Sequence, residues 1–314
     1  MTANLTRRSW LTGAIGGVTM SLAAAPMEET KDGKTSDPFR YGLNTATLMG
    51  QKLSIVEEVE IASRAGYQAI EPWVRELDKY VQDGGNLKDL GKRIADRGLS
   101  VESAIDFFEW IVDDDIQRKK GLENARRSMD LVKQIGGKRI AAPPSGATNR
   151  SDVTLLAAAQ RYRALLDIGA AIGVIPQVEL WGFSKTLGRL GEAALVAIES
   201  GHKDACILAD VYHLYKGGSG FTGVTLLSGS ALHVLHMNDY PAEPPRAALT
   251  DAHRLYPGDG IAPLKTFLRD LRRLGFRGVL SLELFNREYW KRDALTVART
   301  GLEKMKAVVA SISE

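Results

Sequence analysis

Three acidic residues and one histidine sit inside apolar runs, where charge is costly. Glu179 lies in Gln177-Val178-Glu179-Leu180-Trp181, Asp210 in residues 207–213, His236 in residues 233–239 and Glu283 in residues 280–285. An ionised carboxylate in an apolar segment needs a compensating partner. One divalent cation held by Glu179, Asp210, His236 and Glu283 would compensate them together. Taken singly, each has a plainer reading: a Glu at a solvated strand end, a His satisfied in a core. Their recurrence in four successive apolar runs favours the metal. The set is oxygen-rich with one imidazole, which suits Mn²⁺ first, with Mg²⁺, Co²⁺ or Zn²⁺ also compatible.

Such a site would abstract a proton next to a carbonyl. A bound cation polarises a keto oxygen and a neighbouring hydroxyl, stabilising the resulting enediolate. Two carboxylates on opposite sides of the substrate could then serve as base and acid. Returning the proton to the other face is epimerisation; returning it to the adjacent carbon is isomerisation; expelling a β-substituent is elimination. The residues alone do not separate these outcomes.

The elements that would position these groups alternate along the chain. Apolar runs with strand character occupy residues 40–47, 69–74, 100–107, 139–143, 175–181, 206–213, 232–239 and 278–285. Between them lie helical periodicities over 54–65, 86–97, 116–135, 152–172, 191–200, 263–274 and 293–312. Ser54 with Glu57 reads as a capping box, and glycines such as Gly66, Gly98, Gly173 and Gly275 stop helices just before strands. Eight strands with intervening helices predict an α/β fold of the closed (β/α)₈ barrel type, as one domain over residues 38–314. An open doubly wound sheet is the alternative, but no Gly-x-Gly-x-x-Gly turn follows the first strand.

In a barrel of this kind, active groups sit at the C-terminal ends of strands, where all four residues fall. Side chains alternate faces along a strand, so His236 points inward with Asn238 while His233 points outward. Glu71 and Trp73 end the second run on one face. They are expected to line the pocket, Trp73 stacking on a ring of an oxygen-rich small molecule and Glu71 accepting its hydroxyls. Trp181 is expected beside Glu179 as an aromatic wall. Asp113-Asp114-Asp115 reads as a solvated helix start favoured by the helix dipole.

These residues resemble the xylose-isomerase-like barrel superfamily, which includes sugar phosphate isomerases and epimerases, inosose isomerase, tagatose epimerase and endonuclease IV. The resemblance runs from about Phe39 to the C-terminus. It is carried by Asp210-Val211-Tyr212-His213, His236-Met237-Asn238-Asp239, Arg254-Leu255-Tyr256-Pro257-Gly258-Asp259-Gly260 and Ser281-Leu282-Glu283-Leu284-Phe285-Asn286. It implies that Glu179, Asp210, His236 and Glu283 hold the metal, that Glu179 and Glu283 are the acid–base pair, as in the epimerase branch, and that His213 and Arg254 face substrate oxygens. The implied activity is a metal-dependent isomerase or epimerase of a keto-sugar or inosose. A lyase acting on a 3-keto-glycoside or related oxidised sugar, and a non-catalytic sugar-binding barrel, stay open beside it. One departure is Ala242, where the tagatose-epimerase branch has a substrate-binding Arg; Arg246 or Arg254 would replace it.

Composition narrows the partners. The chain has 314 residues, 44% hydrophobic and 25% charged, with a formal net charge of +3. Arg7 and Arg8 supply two of those units, so the body is nearly neutral and lacks the basic groove that a nucleic-acid backbone requires. Five histidines are too few for the three-metal centre of endonuclease IV. The single cysteine, Cys206, cannot form an intrachain disulfide and reads as a buried, inert thiol.

Residues 1–25 read as a targeting segment: Thr6-Arg7-Arg8-Ser9-Trp10-Leu11 resembles the twin-arginine motif, followed by a mildly apolar stretch and Ala23-Ala24-Ala25. Residues 26–37 read as a flexible polar linker. The expectation is export to the periplasm or outside the cell, with no stable membrane span afterwards, and a small keto-sugar or cyclitol as partner.

Overall fold

The computed structural model describes residues 39–312; the expected signal segment and linker lie outside them. Seven parallel strands form a curled sheet in the order β2-β1-β7-β6-β5-β4-β3. They are β1 (Arg40–Asn44), β2 (Ala69–Glu71), β3 (Arg139–Ala142), β4 (Ile175–Glu179), β5 (Ile207–Asp210), β6 (Leu232–Met237) and β7 (Val279–Leu282). The helices are α1 (Ile55–Ala65), α2 (Val74–Gln82), α3 (Leu87–Asp96), α4 (Asp115–Gln134), α5 (Leu155–Ile172), α6 (Leu190–Glu199), α7 (Val211–Lys216), α8 (Leu264–Arg273) and α9 (Ala294–Ala310).

The eighth stave, expected as a regular strand over 100–107, is irregular. It bridges β2 at Ala69–Ser100 and, beyond the strand, Trp73–Ile105. On one side Ile70 N–H donates to Ser100 and Ile105 N–H to the Pro72 carbonyl; on the other Ala104 N–H donates to Arg139 and Ala141 N–H to Ala104. The stave therefore spans the gap between β2 and β3 and completes the barrel. Its ladder is broken because Pro72 has no N–H to return.

Two further runs end early for a local reason. Residues 211–213, expected to finish a strand, form the first turn of α7, because the Asp210 carboxylate caps it, accepting from His213 N–H at 2.9 Å. The second run stops at Glu71, and α2, which the periodicity did not predict, starts at Val74 with Glu76 reaching back to Trp73 N–H at 3.0 Å. The Ser54–Glu57 capping box forms as expected, and Gly66 ends α1 at φ 96°. Cys206 is buried, and burial pushes its thiol up to about 12.

The barrel interior is filled by small and branched side chains, among them Ala69, Ile105, Ala141, Leu208, Val234 and Val279. A larger apolar layer lies between sheet and helices. Gly42 is required on β1, since a Cβ there would sit 2.7 Å from Val279 Cγ1. Among the described residues no helix is long and apolar enough to cross a membrane.

One helix residue breaks the pattern. Glu58 on α1 is buried, and its Oε2 has no hydrogen-bond partner. Burial first, and then the neighbouring Glu76, push its carboxyl from about 4.5 to about 10. The folded state therefore binds this proton more tightly than the unfolded chain. Its contribution is complete below about pH 4.5 and is lost as pH rises towards 10. Glu58→Gln carries no titrating group. Its melting temperature should match the parent's in acid and exceed it by roughly 3 °C or more at about pH 9, measured by differential scanning calorimetry.

Candidate metal centre and active site

The C-terminal ends of β4, β5, β6 and β7 bring Glu179, Asp210, His236 and Glu283 to one mouth of the barrel. All four are buried, with Asp210 and His236 fully inaccessible. Asp210, His236 and Glu283 each offer a ligand atom, and these atoms lie within 4.8 Å of one another. The Glu179 carboxylate stands beside this trio, with Oε1 3.8 Å from His236 Nδ1. His236 faces inward as its parity requires, and His233 is the partly exposed outward residue.

The imidazole carries the most telling geometry. Its Nε2 pairs with Glu71 Oε2 at 3.1 Å, which leaves Nδ1 for the acids. Nδ1 lies 3.2 Å from Glu283 Oε2, 3.6 Å from Asp210 Oδ2 and 3.8 Å from Glu179 Oε1. No well-aligned hydrogen bond satisfies it. A lone pair amid three carboxylate oxygens demands a positive centre, either a proton on Nδ1 or a cation in its place. Burial alone would lower the imidazole's pKa, but Glu283 and Glu71 hold it well above its usual range. The donor set of one imidazole nitrogen and carboxylate oxygens fits a divalent cation.

Glu71 was expected to accept substrate hydroxyls. Its Oε2 is occupied by Asn44 Nδ2 at 3.0 Å, Ser281 Oγ at 2.7 Å and His236, while its buried Oε1 has no hydrogen-bond partner among the described residues. It fixes the ring orientation and tautomer of His236, a role that outer carboxylates play around metal-ligating histidines. Asn44 extends the network: its amide also donates to Glu283 Oε1 at 3.1 Å, and its Oδ1 accepts from the Trp73 indole at 3.0 Å. Trp73 is thus held at the mouth by the same group that holds two acids. Neither Asn44 nor Ser281 was singled out in the sequence, where polar residues in short strands carry no distinguishing pattern.

Arg254 is buried among the acids rather than open to a pocket. Nη1 bridges Asp210 Oδ2 and Glu283 Oε2, each at 2.7 Å, while Nη2 meets Asp251 Oδ1 at 2.6 Å and His213 Nε2 at 3.2 Å. Burial opposes ionisation of Asp210, but this guanidinium holds its carboxyl well below the usual range. Burial and then Arg254 push His213 down to about 4 against the pull of Asp210, so its ring is neutral at physiological pH. Asn238, on the inward face with His236, contacts both Asp210 oxygens at 3.3 Å. Arg246 is exposed, 6.0 Å above the Tyr215 ring, and takes no part in this cluster.

The loop that delivers Arg254 is pinned by one carboxylate. Asp239 accepts from the N–H groups of Tyr240, Gly258, Gly260 and Ala262 at 2.8–3.0 Å. Gly260 must be glycine here, since a Cβ would lie 2.2 Å from the Tyr240 carbonyl oxygen. The Pro257–Gly260 motif is therefore a positioning device for Arg254.

Glu179 differs from its neighbours. Among the described residues no group hydrogen-bonds its carboxyl. Burial first pushes it up to about 8; His236 opposes this and the nearby Glu283, Asp210 and Glu71 reinforce it. Trp181 stands partly exposed beyond it, 5.5 Å from Phe107 and 5.4 Å from Phe183 between ring centroids.

Residues 59–308 match the protein family described as xylose isomerase-like TIM barrel. The chain is 26% identical to an inosose isomerase of Bacillus velezensis over 275 residues, covering 85% of this chain and 96% of that one. It is also 26% identical to a 3-dehydroshikimate dehydratase of Pseudomonas aeruginosa over 257 residues, 79% of this chain but 38% of the longer relative. Among solved structures, the IolI protein with a bound zinc atom superposes with a TM-score of 0.81 at 22% identity, over 87% of this chain and 99% of that one. At that identity the superposition supports the fold alone.

Two outcomes follow from the charge balance. At about pH 7 the ion-free site holds protons on Glu179 and His236 that a cation would displace. Mn²⁺ binding should therefore release about one to two protons, read by titration calorimetry in buffers of different ionisation enthalpy. Glu71→Ala, which frees the His236 ring, should weaken Mn²⁺ binding by roughly 10- to 100-fold in the same titration.

Proposed function

Since this chain belongs to the xylose isomerase-like TIM barrel family, we propose that it is a divalent-metal-dependent isomerase or epimerase of a keto-sugar or cyclitol. With isomerases and a dehydratase as relatives, it is an enzyme rather than a sugar-binding barrel. The observation that carries the reading is His236 Nδ1, unpartnered and facing three carboxylate oxygens. Asp210, His236 and Glu283 would hold the ion, with Glu179 at its edge. Mn²⁺ is the first choice, and the bound zinc of the IolI neighbour keeps zinc beside it. When bound, the ion would polarise a substrate carbonyl and make the adjacent C–H bond acidic.

The protein's own groups divide the remaining work. Glu179, which no hydrogen bond holds among the described residues and which stands at the edge of the trio, is suited to take and return a proton. Glu283 is fixed by Asn44 and Arg254 and approaches from a different strand, as the second carboxylate of the pair. His213, neutral, and Arg254 would meet substrate oxygens only from behind the acids. Trp73 and Trp181 supply the apolar wall against which a ring can lie.

Elimination is the second reading. The dehydratase relative catalyses loss of water, and the same first proton abstraction permits it here. An oxidised sugar carrying a leaving group next to the acidified carbon would be the substrate.

We also place the mature enzyme in the periplasm or outside the cell. Support comes from Thr6-Arg7-Arg8-Ser9-Trp10-Leu11 and the apolar stretch after it. Replacing Arg7 and Arg8 by Lys should leave a leader–reporter fusion in the cytoplasm, as fractionation would reveal.

Solvent-deuterium exchange into a panel of keto-sugars and inososes, with Mn²⁺ and after chelation, tests the central reading. Exchange should require the ion. Glu179→Gln and Glu283→Gln should each lower kcat by about 10²–10⁴. Exchange with rearranged sugar supports isomerisation or epimerisation, and loss of water or of a leaving group supports elimination. Full exchange in the chelated protein would sink the metal reading.

A further inference from the structure

The wall above the acids is aromatic, and it runs outward to solvent. Ring centroids step from Trp73 to Phe107 at 5.0 Å, to Trp181 at 5.5 Å, to Phe183 at 5.4 Å and to His213 at 5.7 Å. Exposure rises from Trp73 to the two phenyl rings and falls again at the buried His213. Trp73 is 7% exposed, whereas Phe107 and Phe183 are 43% and 49% exposed. The two phenyl rings come from different staves, Phe107 after the 100–105 segment and Phe183 after β4. Both meet on the same partly exposed Trp181.

Neither phenyl belongs to the core, so packing does not account for their size. Exposed apolar surface that is continuous with a polar site marks a place where something docks. A single sugar ring reaching Glu179 and Glu283 has Trp73 and Trp181 for its wall. The outer pair then faces whatever the substrate carries beyond that ring. Flat aromatic faces suit the C–H face of a second pyranose, which offers apolar surface without charge, and neither phenyl brings a charged group to the rim.

We propose that Phe107 and Phe183, joined through Trp181, form a second-ring subsite, so that the enzyme takes a two-ring glycoside in preference to a free monocyclic sugar. This rests on the reading of the buried site as sugar-acting, and it adds the substrate class. Trp181 lies between the two rings, so its fluorescence reports occupancy without any turnover.

The test compares one-ring and two-ring probes on the purified protein with Mn²⁺ present, using glucose against cellobiose and maltose. At least one disaccharide should bind about tenfold or more tightly than glucose. Phe107→Ala/Phe183→Ala should abolish that advantage while leaving the weaker glucose affinity within about twofold. Phe107→Leu/Phe183→Leu, which keeps apolar bulk but removes the ring faces, should lose most of it. Equal affinity for one and two rings, no response to any of the three sugars, or an advantage that survives both double variants would overturn the proposal. Solvent exchange on keto-sugars reads the underlying function separately. A two-ring advantage without exchange sinks proton transfer but keeps the subsite; exchange without the advantage does the reverse.

Discussion

Four carboxylates stand within reach of one buried imidazole, and the surrounding structure is organised by that charge. Like charges in a poorly solvated mouth repel strongly, and burial removes the water that would screen them. The protein answers with one guanidinium. Arg254 bridges Asp210 and Glu283 and is itself fixed by Asp251. Amide and hydroxyl donors from Asn44, Asn238 and Ser281 take up further oxygens. What they leave over lies at His236 Nδ1, at Glu71 Oε1 and at the Glu179 carboxyl. A cation at that point would complete a balance that the protein's own groups leave open.

The barrel makes this concentration possible at little cost to folding. Parallel strands end together at one rim, and alternation sends every second side chain inward. Below the acids the interior is filled by small and branched residues such as Ala69, Val234 and Val279. The strained demands fall on connecting segments instead. Asp239 gathers four N–H groups of the loop after β6, and Gly260 lets that loop close on it. Asp210 serves twice, as an acid of the site and as the cap of α7. That double use turns His213 back over the mouth.

The same rim mixes two surfaces of opposite character. Inside lie acids that bind little without a counter-ion. Outside lies a connected run of aromatic rings in which Phe107 and Phe183 are exposed to solvent. A polyhydroxylated ring has both faces, oxygens at its edge and C–H groups on its plane. The pairing of a charged floor with an aromatic wall therefore matches a carbohydrate or cyclitol better than a purely ionic or purely apolar molecule.

The sequence by itself determined the alternation of strands and helices, the position of the acids at strand ends and the inward parity of His236. These are local matters, set by periodicity, capping residues and the cost of burying charge. It over-extended the stave at 100–107, because the missing hydrogen bond at Pro72 acts across strands. It also carried residues 211–213 on as strand where the Asp210 carboxylate turns the chain into a helix. The leader's twin arginines were legible only as a motif. Only the tertiary structure decided that Glu71 serves His236, that Asn44 ties Trp73 to two acids and that Arg254 lies among the carboxylates. Residues 44, 71, 254 and 283 are far apart in sequence, and their hydrogen bonds exist only once the barrel closes. Closure brings them to one mouth, and burial there makes each of them depend on the others.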